Sequence, residues 1–295
     1  MFFKYFIIFA AFTLKSSEGA RILFYFGFSS FSDRIAVWPL VEALADKGHR
    51  IHFLSPFQSA EKHPNITEIQ PPHLLDLMNE SWGNVIERRR DKTYEKIWNE
   101  IREKGIKACN AVFADKETRE FLKDAQFDLV IIEALYNECG MGLAYYYGSP
   151  FIIYVAGSVN VWQPDAHGYF PETSWIPDVT KDYPLEMTFL QKVFNTLNPI
   201  YWHFGRHWHD FIEMDKILWS VLQIRKMPPL EELEKNVSLV LYNNHFSTEF
   251  PRSLPPLYVS VAGMHCQKGR KVEPLDKVNS LVLYLSSLIL VKLFC

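Results

Sequence analysis

Cysteine is scarce in this chain, with four in 295 residues, at positions 109, 139, 266 and 295. They are too few and too scattered for a small disulfide-stapled scaffold, and their spacing leaves open whether any of them pair. An excess of positive charge is also missing. The 31 basic and 34 acidic side chains leave a net charge of −3, without the electrostatic footprint of a nucleic-acid binder. No apolar run reaches the roughly 20 residues of a membrane-spanning helix, which excludes a many-spanning transporter. Fixed-period repeats and low-complexity tracts are absent, so neither a solenoid nor a disordered tail fits. What is present is an ordinary globular balance, 48% hydrophobic and 22% charged, with 23 Phe, 14 Tyr and 8 Trp. Such aromatic content predicts a large core and a pocket for apolar, ring-bearing ligands.

The N-terminus has its own pattern. Lys4 precedes an apolar run over residues 5–14, and small and polar residues follow, so residues 1–19 are expected to be a cleaved secretory signal peptide. The sequons Asn65-Ile66-Thr67, Asn79-Glu80-Ser81 and Asn236-Val237-Ser238 fit entry into the endoplasmic reticulum lumen and make those asparagines candidate glycosylation sites.

From residue 21 onward, short apolar runs alternate with amphipathic segments. Residues 21–26 (RILFYF) predict a buried parallel strand, residues 35–47 a helix containing Pro39, and residues 49–54 a second strand. Further strands are expected at 66–69, 127–132, 151–155, 239–242 and 257–261, helices at 84–107 and 137–147, and one or two helices over 192–222. The triplet Arg88-Arg89-Arg90 sits beside acidic neighbours and suits a solvated helix face. Residues 157–185, rich in Pro, Gly and aromatics, predict a lid or binding loop. The alternation predicts an α/β fold, a Rossmann-like doubly wound parallel sheet of about seven strands with helices on both faces. His203 and His207 are spaced to share a helix face, but His209 points elsewhere and no acidic third ligand has diagnostic spacing. They are expected to be hydrogen-bonded histidines, and no metal site is expected.

Three segments, residues 21–57, 127–152 (FDLVIIEALYNECGMGLAYYYGSPFI) and 237–265 (VSLVLYNNHFSTEFPRSLPPLYVSVAGMH), resemble the animal UDP-glycosyltransferase family in content, order and spacing. That family includes the UDP-glucuronosyltransferases, and the resemblance covers about residues 20–270. It implies the N-terminal, acceptor-binding half of a GT-B enzyme, which in complete form moves a sugar from a UDP-sugar to a small lipophilic hydroxyl acceptor. Residues 20–275 would be that domain. Residues 276–295 would be an apolar tail standing where the family continues into its donor domain. No stretch resembles the family's Thr-His-Gly-Gly-like donor signature, so UDP-sugar is the implied donor substrate but its binding groups are missing, and no cofactor is expected. The chain alone is expected to be inactive; the alternative is a non-catalytic module that binds acceptor or pairs with a full-length transferase. The apolar run at 281–291 would make about 16 Å of helix, half a bilayer, so the tail is expected either to associate weakly with the membrane or to fold against the surface that the donor domain would cover.

The resemblance also assigns the chemistry. Asp33 occupies the position of the family's general-base His, and Glu133 that of the Asp that orients it. An Asp, with an ordinary pKa of about 3.9, is poorly matched to deprotonating an alcohol near neutral pH. A helix start favours the anion, whereas a neighbouring Glu opposes double ionisation. Read as structure, Ser32 or Asp33 caps the helix. The family's acceptor pocket maps onto Phe28, Ser29, Asn137, Trp162 and Tyr169, and Gly140 and Gly142 onto packing glycines.

Overall fold

The computed structural model describes residues 19–59, 61–79, 85–159, 165–224 and 226–266. Trp162, the apolar tail and all of the signal segment but Gly19 lie outside the described residues. The strands are β1 (Arg21–Tyr25), β2 (Arg50–Leu54), β3 (Ile66–Ile69), β4 (Leu129–Glu133), β5 (Phe151–Val155), β6 (Leu239–Tyr242) and β7 (Tyr258–Ser260). They form one seven-stranded sheet in the order β3-β2-β1-β4-β5-β6-β7. Every neighbouring pair is parallel. The order reverses between β1 and β4, the switch point at which doubly wound sheets bind ligands beyond their strand ends.

The helices are α1 (Phe31–Asp46), α2 (Pro72–Asn79), α3 (Val85–Arg90), α4 (Tyr94–Ala114), α5 (Lys116–Asp124), α6 (Cys139–Tyr147), α7 (Phe189–Gly205), α8 (Phe211–Leu222) and α9 (Leu230–Glu234). A π-helical turn, Arg206–Asp210, joins α7 to α8. Successive strand residues point to opposite faces, so each central strand feeds two cores. Ile22, Phe24, Phe53, Ile131 and Tyr154 meet Val37, Val41 and Ala45 of α1 on one face. Leu23, Tyr25, Val130, Ile132 and Ile153 meet residues of α4, α6 and α8 on the other. Gly140 and Gly142 allow that second packing. A Cβ on Gly142 would sit 2.6 Å from Leu218 Cδ1, and one on Gly140 would sit 3.0 Å from Ile132 Cγ1.

Several boundaries differ from the sequence expectation, each for a local reason. Helix α1 starts at Phe31 because Ser30, not Ser32 or Asp33, is the N-cap. Ser30 Oγ accepts from the Asp33 amide, and the Asp33 side chain accepts from the Ser30 amide, closing a capping box. The helix continues through Pro39. The segment expected as one helix over 84–107 is broken at residues 91–93, where Lys92 has φ 56°. Helix α6 begins at Cys139, two residues late, because the Asn137 side chain is occupied in closing the loop before it. Cys109 of α4 and Cys139 are joined in a disulfide with Cα atoms 6.1 Å apart, a pairing that spacing alone left open. The segment after residue 165 is pinned down by Asn195 of α7. Its amide donates to the carbonyls of Thr173 and Ile176 (2.7 Å each) and accepts from the Asp178 amide (2.8 Å).

Candidate active site

Parallel strands bring their C-terminal ends to one edge of the sheet. Glu133 closes β4 there and is in register with Tyr154 of β5. Strand alternation puts both on the face of Ile131, the face that α1 covers. Asp33 lies in the first turn of α1 above the same edge. The charge of Asp33 acts on Glu133, and both act on the Tyr154 hydroxyl, whose pKa is raised chiefly by burial and then by their charge. In front of Asp33 lies a cleft of about 550 Å³ whose walls include Ile35, Ser158, Asn243, Asn244 and His265. A second hollow of about 660 Å³ shares Ser158, both asparagines and His265 and adds Cys266. His265 Nδ1 is 3.1 Å from Asn243 Nδ2, and Asn244 donates to Ser158 Oγ at 2.6 Å.

The carboxyl pair is unequal. Asp33 Oδ2 accepts from the Ser30 amide at 2.8 Å and from Ser30 Oγ at 2.7 Å. Burial raises its pKa above the ordinary range, and those two bonds pull it back. Glu133 is 3% exposed. Its Oε2 accepts from the Leu135 amide at 2.7 Å and from Asn137 Nδ2 at 2.8 Å. Burial pushes Glu133 well above its usual pKa and the charge of Asp33 adds to the push, against those two donors. Both carboxyls are therefore held above their usual pKa, Glu133 by more than Asp33. Asp33 lines the cleft, and Glu133 is buried.

The other residues expected at the site sit mostly behind this wall. Phe28 is fully buried; its amide donates to Asn137 Oδ1 and its carbonyl accepts from Asn137 Nδ2, both at 2.7 Å. Ser29, also buried, donates from Oγ to the Phe26 carbonyl at 3.0 Å. The two Asn137 bonds tie the loop after β1 to the loop after β4. Tyr169 is elsewhere, donating its hydroxyl to Glu172 beside a hollow of about 240 Å³ that Glu249 and Arg252 also line. Asn79 and Asn236 are exposed, whereas Asn65 is partly buried and donates from Nδ2 to the Ala45 carbonyl at 3.0 Å. The rings of His203 and His207 lie 4.2 Å apart, His207 Nδ1 is 2.8 Å from the His203 carbonyl, and His209 Nδ1 is 2.9 Å from Asp210 Oδ1. No cluster of three or more His, Cys, Asp or Glu side chains suited to a metal occurs among the described residues.

Sequence reasoning missed Asn243, Asn244 and His265 as cleft residues. Polar residues directly after the strand at 239–242 were the available signal, since such positions border the ligand edge of a parallel sheet. It also missed a buried ion cluster beneath the site. Arg206 is bonded to Glu138 Oε1 at 3.0 Å and to Glu234 Oε2 at 2.9 Å. All three side chains are at most 4% exposed.

Strand order and cleft position together define a Rossmann-like ligand-binding domain. The family model for UDP-glucoronosyl and UDP-glucosyl transferase matches residues 29–280. UDP-glucosyltransferase 2 of Dactylopius coccus is 25% identical over 268 residues, which cover 89% of this chain and 51% of that protein. UDP-glucuronosyltransferase 2B15 of Homo sapiens is 24% identical over 280 residues, covering 85% and 52%. Among solved structures, glycosyltransferase VinC in complex with DTDP aligns with a TM-score of 0.40 at 17% identity, over 81% of this chain and 52% of that one. The chain belongs to the UDP-glycosyltransferase family, and it spans about half the length of the curated relatives it matches.

Proposed function

We propose that residues 20–275 are the acceptor-binding domain of a UDP-glycosyltransferase, which in complete form transfers a sugar from a UDP-sugar to the hydroxyl of a small lipophilic acceptor. The observation that carries this reading is the meeting of Asp33 and Glu133, the family's base and orienter positions, beside a cleft at the ligand edge of the sheet. In that cleft an acceptor hydroxyl donates to the Asp33 carboxylate. Phe28, Ser29 and Asn137 shape the wall from behind.

These 295 residues bind acceptor without transferring sugar. Two features support this. Asp33, a carboxyl that accepts two hydrogen bonds from Ser30, stands in the place of an imidazole base. The sequence also holds no stretch resembling the family's donor signature. The same features support pairing with a full-length transferase. Residence in the endoplasmic reticulum lumen is supported by the signal-like N-terminus, by the Cys109–Cys139 disulfide, which persists in an oxidising compartment, and by the exposed sequon residues Asn79 and Asn236.

Calorimetric titration of the chain with 1-naphthol tests the binding. Saturable heat is expected, and the Ser158→Trp variant, which fills the cleft from its wall, is expected to abolish it. Absence of saturable binding, or binding that Ser158→Trp leaves unchanged, contradicts the proposal.

A further inference from the structure

The cleft in front of Asp33 is lopsided in charge. Asp33 is the one acidic side chain among the described residues on its walls. No described Lys or Arg lines either this cleft or the hollow that shares Ser158 and His265 with it. Both hydrogen bonds that the Asp33 side chain accepts, from the Ser30 amide and hydroxyl, fall on Oδ2. Oδ1 has no hydrogen-bond partner among the described residues, so both its lone pairs are unused on a carboxyl that lines the cleft. Behind it stands Glu133, a second carboxyl whose bonded partners, the Leu135 amide and Asn137, are neutral. Burial first and then the charge of Asp33 hold the Glu133 pKa up, so negative charge at this sheet edge meets no compensating cation among the described residues.

The rest of the wall narrows the kind of ligand that fits. Ile35, Ala36 and Ala156 supply apolar surface suited to a ring. The polar residues are paired among themselves, Asn243 with His265 and Asn244 with Ser158, which leaves Asp33 Oδ1 as the strongest unpaired acceptor. A neutral alcohol gives this oxygen one hydrogen and no charge. An ammonium gives three hydrogens, has no acceptor of its own to leave unpaired, and brings a positive charge. Hydrogen bonds to ionised groups are about twice as strong as neutral ones. Asp33 is only partly buried, so an ammonium paired with it keeps part of its water and avoids the full desolvation cost of a buried ion pair. A hydroxyl and an ammonium on adjacent carbons lie close enough together for one carboxylate oxygen to accept from both. Resting on the reading of this cleft as the acceptor site, we propose that its acceptor is an aromatic amino alcohol, a ring-bearing compound with a protonated amine on the carbon next to the hydroxyl, whose ammonium pairs with Asp33.

Calorimetric titration of the full chain with 2-amino-1-phenylethanol and with 1-phenylethanol tests this, because the two share ring and hydroxyl and differ in the amine. 1-Naphthol serves as the probe of the cleft itself. Expected is binding of the amino alcohol about tenfold or more tighter than the plain alcohol, with that ratio falling as salt is raised and approaching one in Asp33→Asn. The salt dependence is read on the parent chain, so it decides the matter should Asp33→Asn fail to fold by circular dichroism. Equal affinities for the two compounds, or no binding of either, overturn the proposal. The acceptor reading survives that result if 1-naphthol still binds and Ser158→Trp still blocks it. A preference that salt leaves unchanged, or that a folded Asp33→Asn keeps, also overturns the proposal and places the ammonium away from Asp33. If none of the three compounds binds, the proposal and the acceptor reading fall together.

Discussion

Glu133 is a buried carboxyl whose folded pKa lies well above its ordinary value of 4.5, through burial first and the charge of Asp33 second. The folded state therefore holds this proton more tightly than the unfolded chain does. Its contribution to stability is fully present below the unfolded pKa and is lost as the pH climbs from there toward the folded value. Asp215, raised by burial to about 6 from 3.8, acts in the same direction. Denaturant melts from pH 4 upward should show parent stability falling with pH, and Glu133→Gln should flatten that fall without removing the part due to Asp215. A Glu133→Gln slope equal to the parent's would show that Glu133 ionises freely in the fold.

At the scale of elements, the site depends on how closely α4 and the loop after β4 approach. Gly105 of α4 makes the approach possible, since a Cβ there would lie 2.2 Å from Tyr136 Cβ, and Tyr136 itself has φ 56°. Gly105→Ala is expected to cost about 1–3 kcal/mol by overpacking, read from denaturant midpoints; an unchanged midpoint would mean the loop yields freely. The Arg206 cluster joins α6, the π-helical turn and α9, and Arg206→Ala should cost about 3–5 kcal/mol because it leaves Glu138 and Glu234 buried without their cation. These joints also mark where the sequence was mute. The strands were legible because parallel, doubly covered strands are short continuous apolar runs, and β3, β5 and β6 fall where those runs are. The Ser30 cap was not legible beside Ser32 and Asp33, because three neighbouring polar residues all suit an N-terminus and only backbone geometry chooses. The partners of Arg206 come from positions 138 and 234, and no local pattern links residues so far apart.

At the scale of the whole molecule, the doubly wound sheet and the Asp33–Glu133 pair could both be expected from the sequence, the first from periodicity and the second from family resemblance. The cleft could not, because Ser158, Asn243 and His265 come from three separate strand ends that only the sheet brings together. His265 is an imidazole on the same wall as Asp33, so it is the group that would give the cleft a base if one acts there. The central claim is that this chain carries the acceptor side of glycosyl transfer without the transfer. It is tested most directly by UDP release from UDP-glucose and UDP-glucuronic acid with 1-naphthol, using the full chain, an Asp33→Ala, Glu133→Ala double variant and His265→Ala. The account predicts the same background rate for all of them. Turnover by the parent chain clearly above the double variant would contradict it by making the carboxyl pair catalytic, and turnover lost only in His265→Ala would contradict it by making His265 the base.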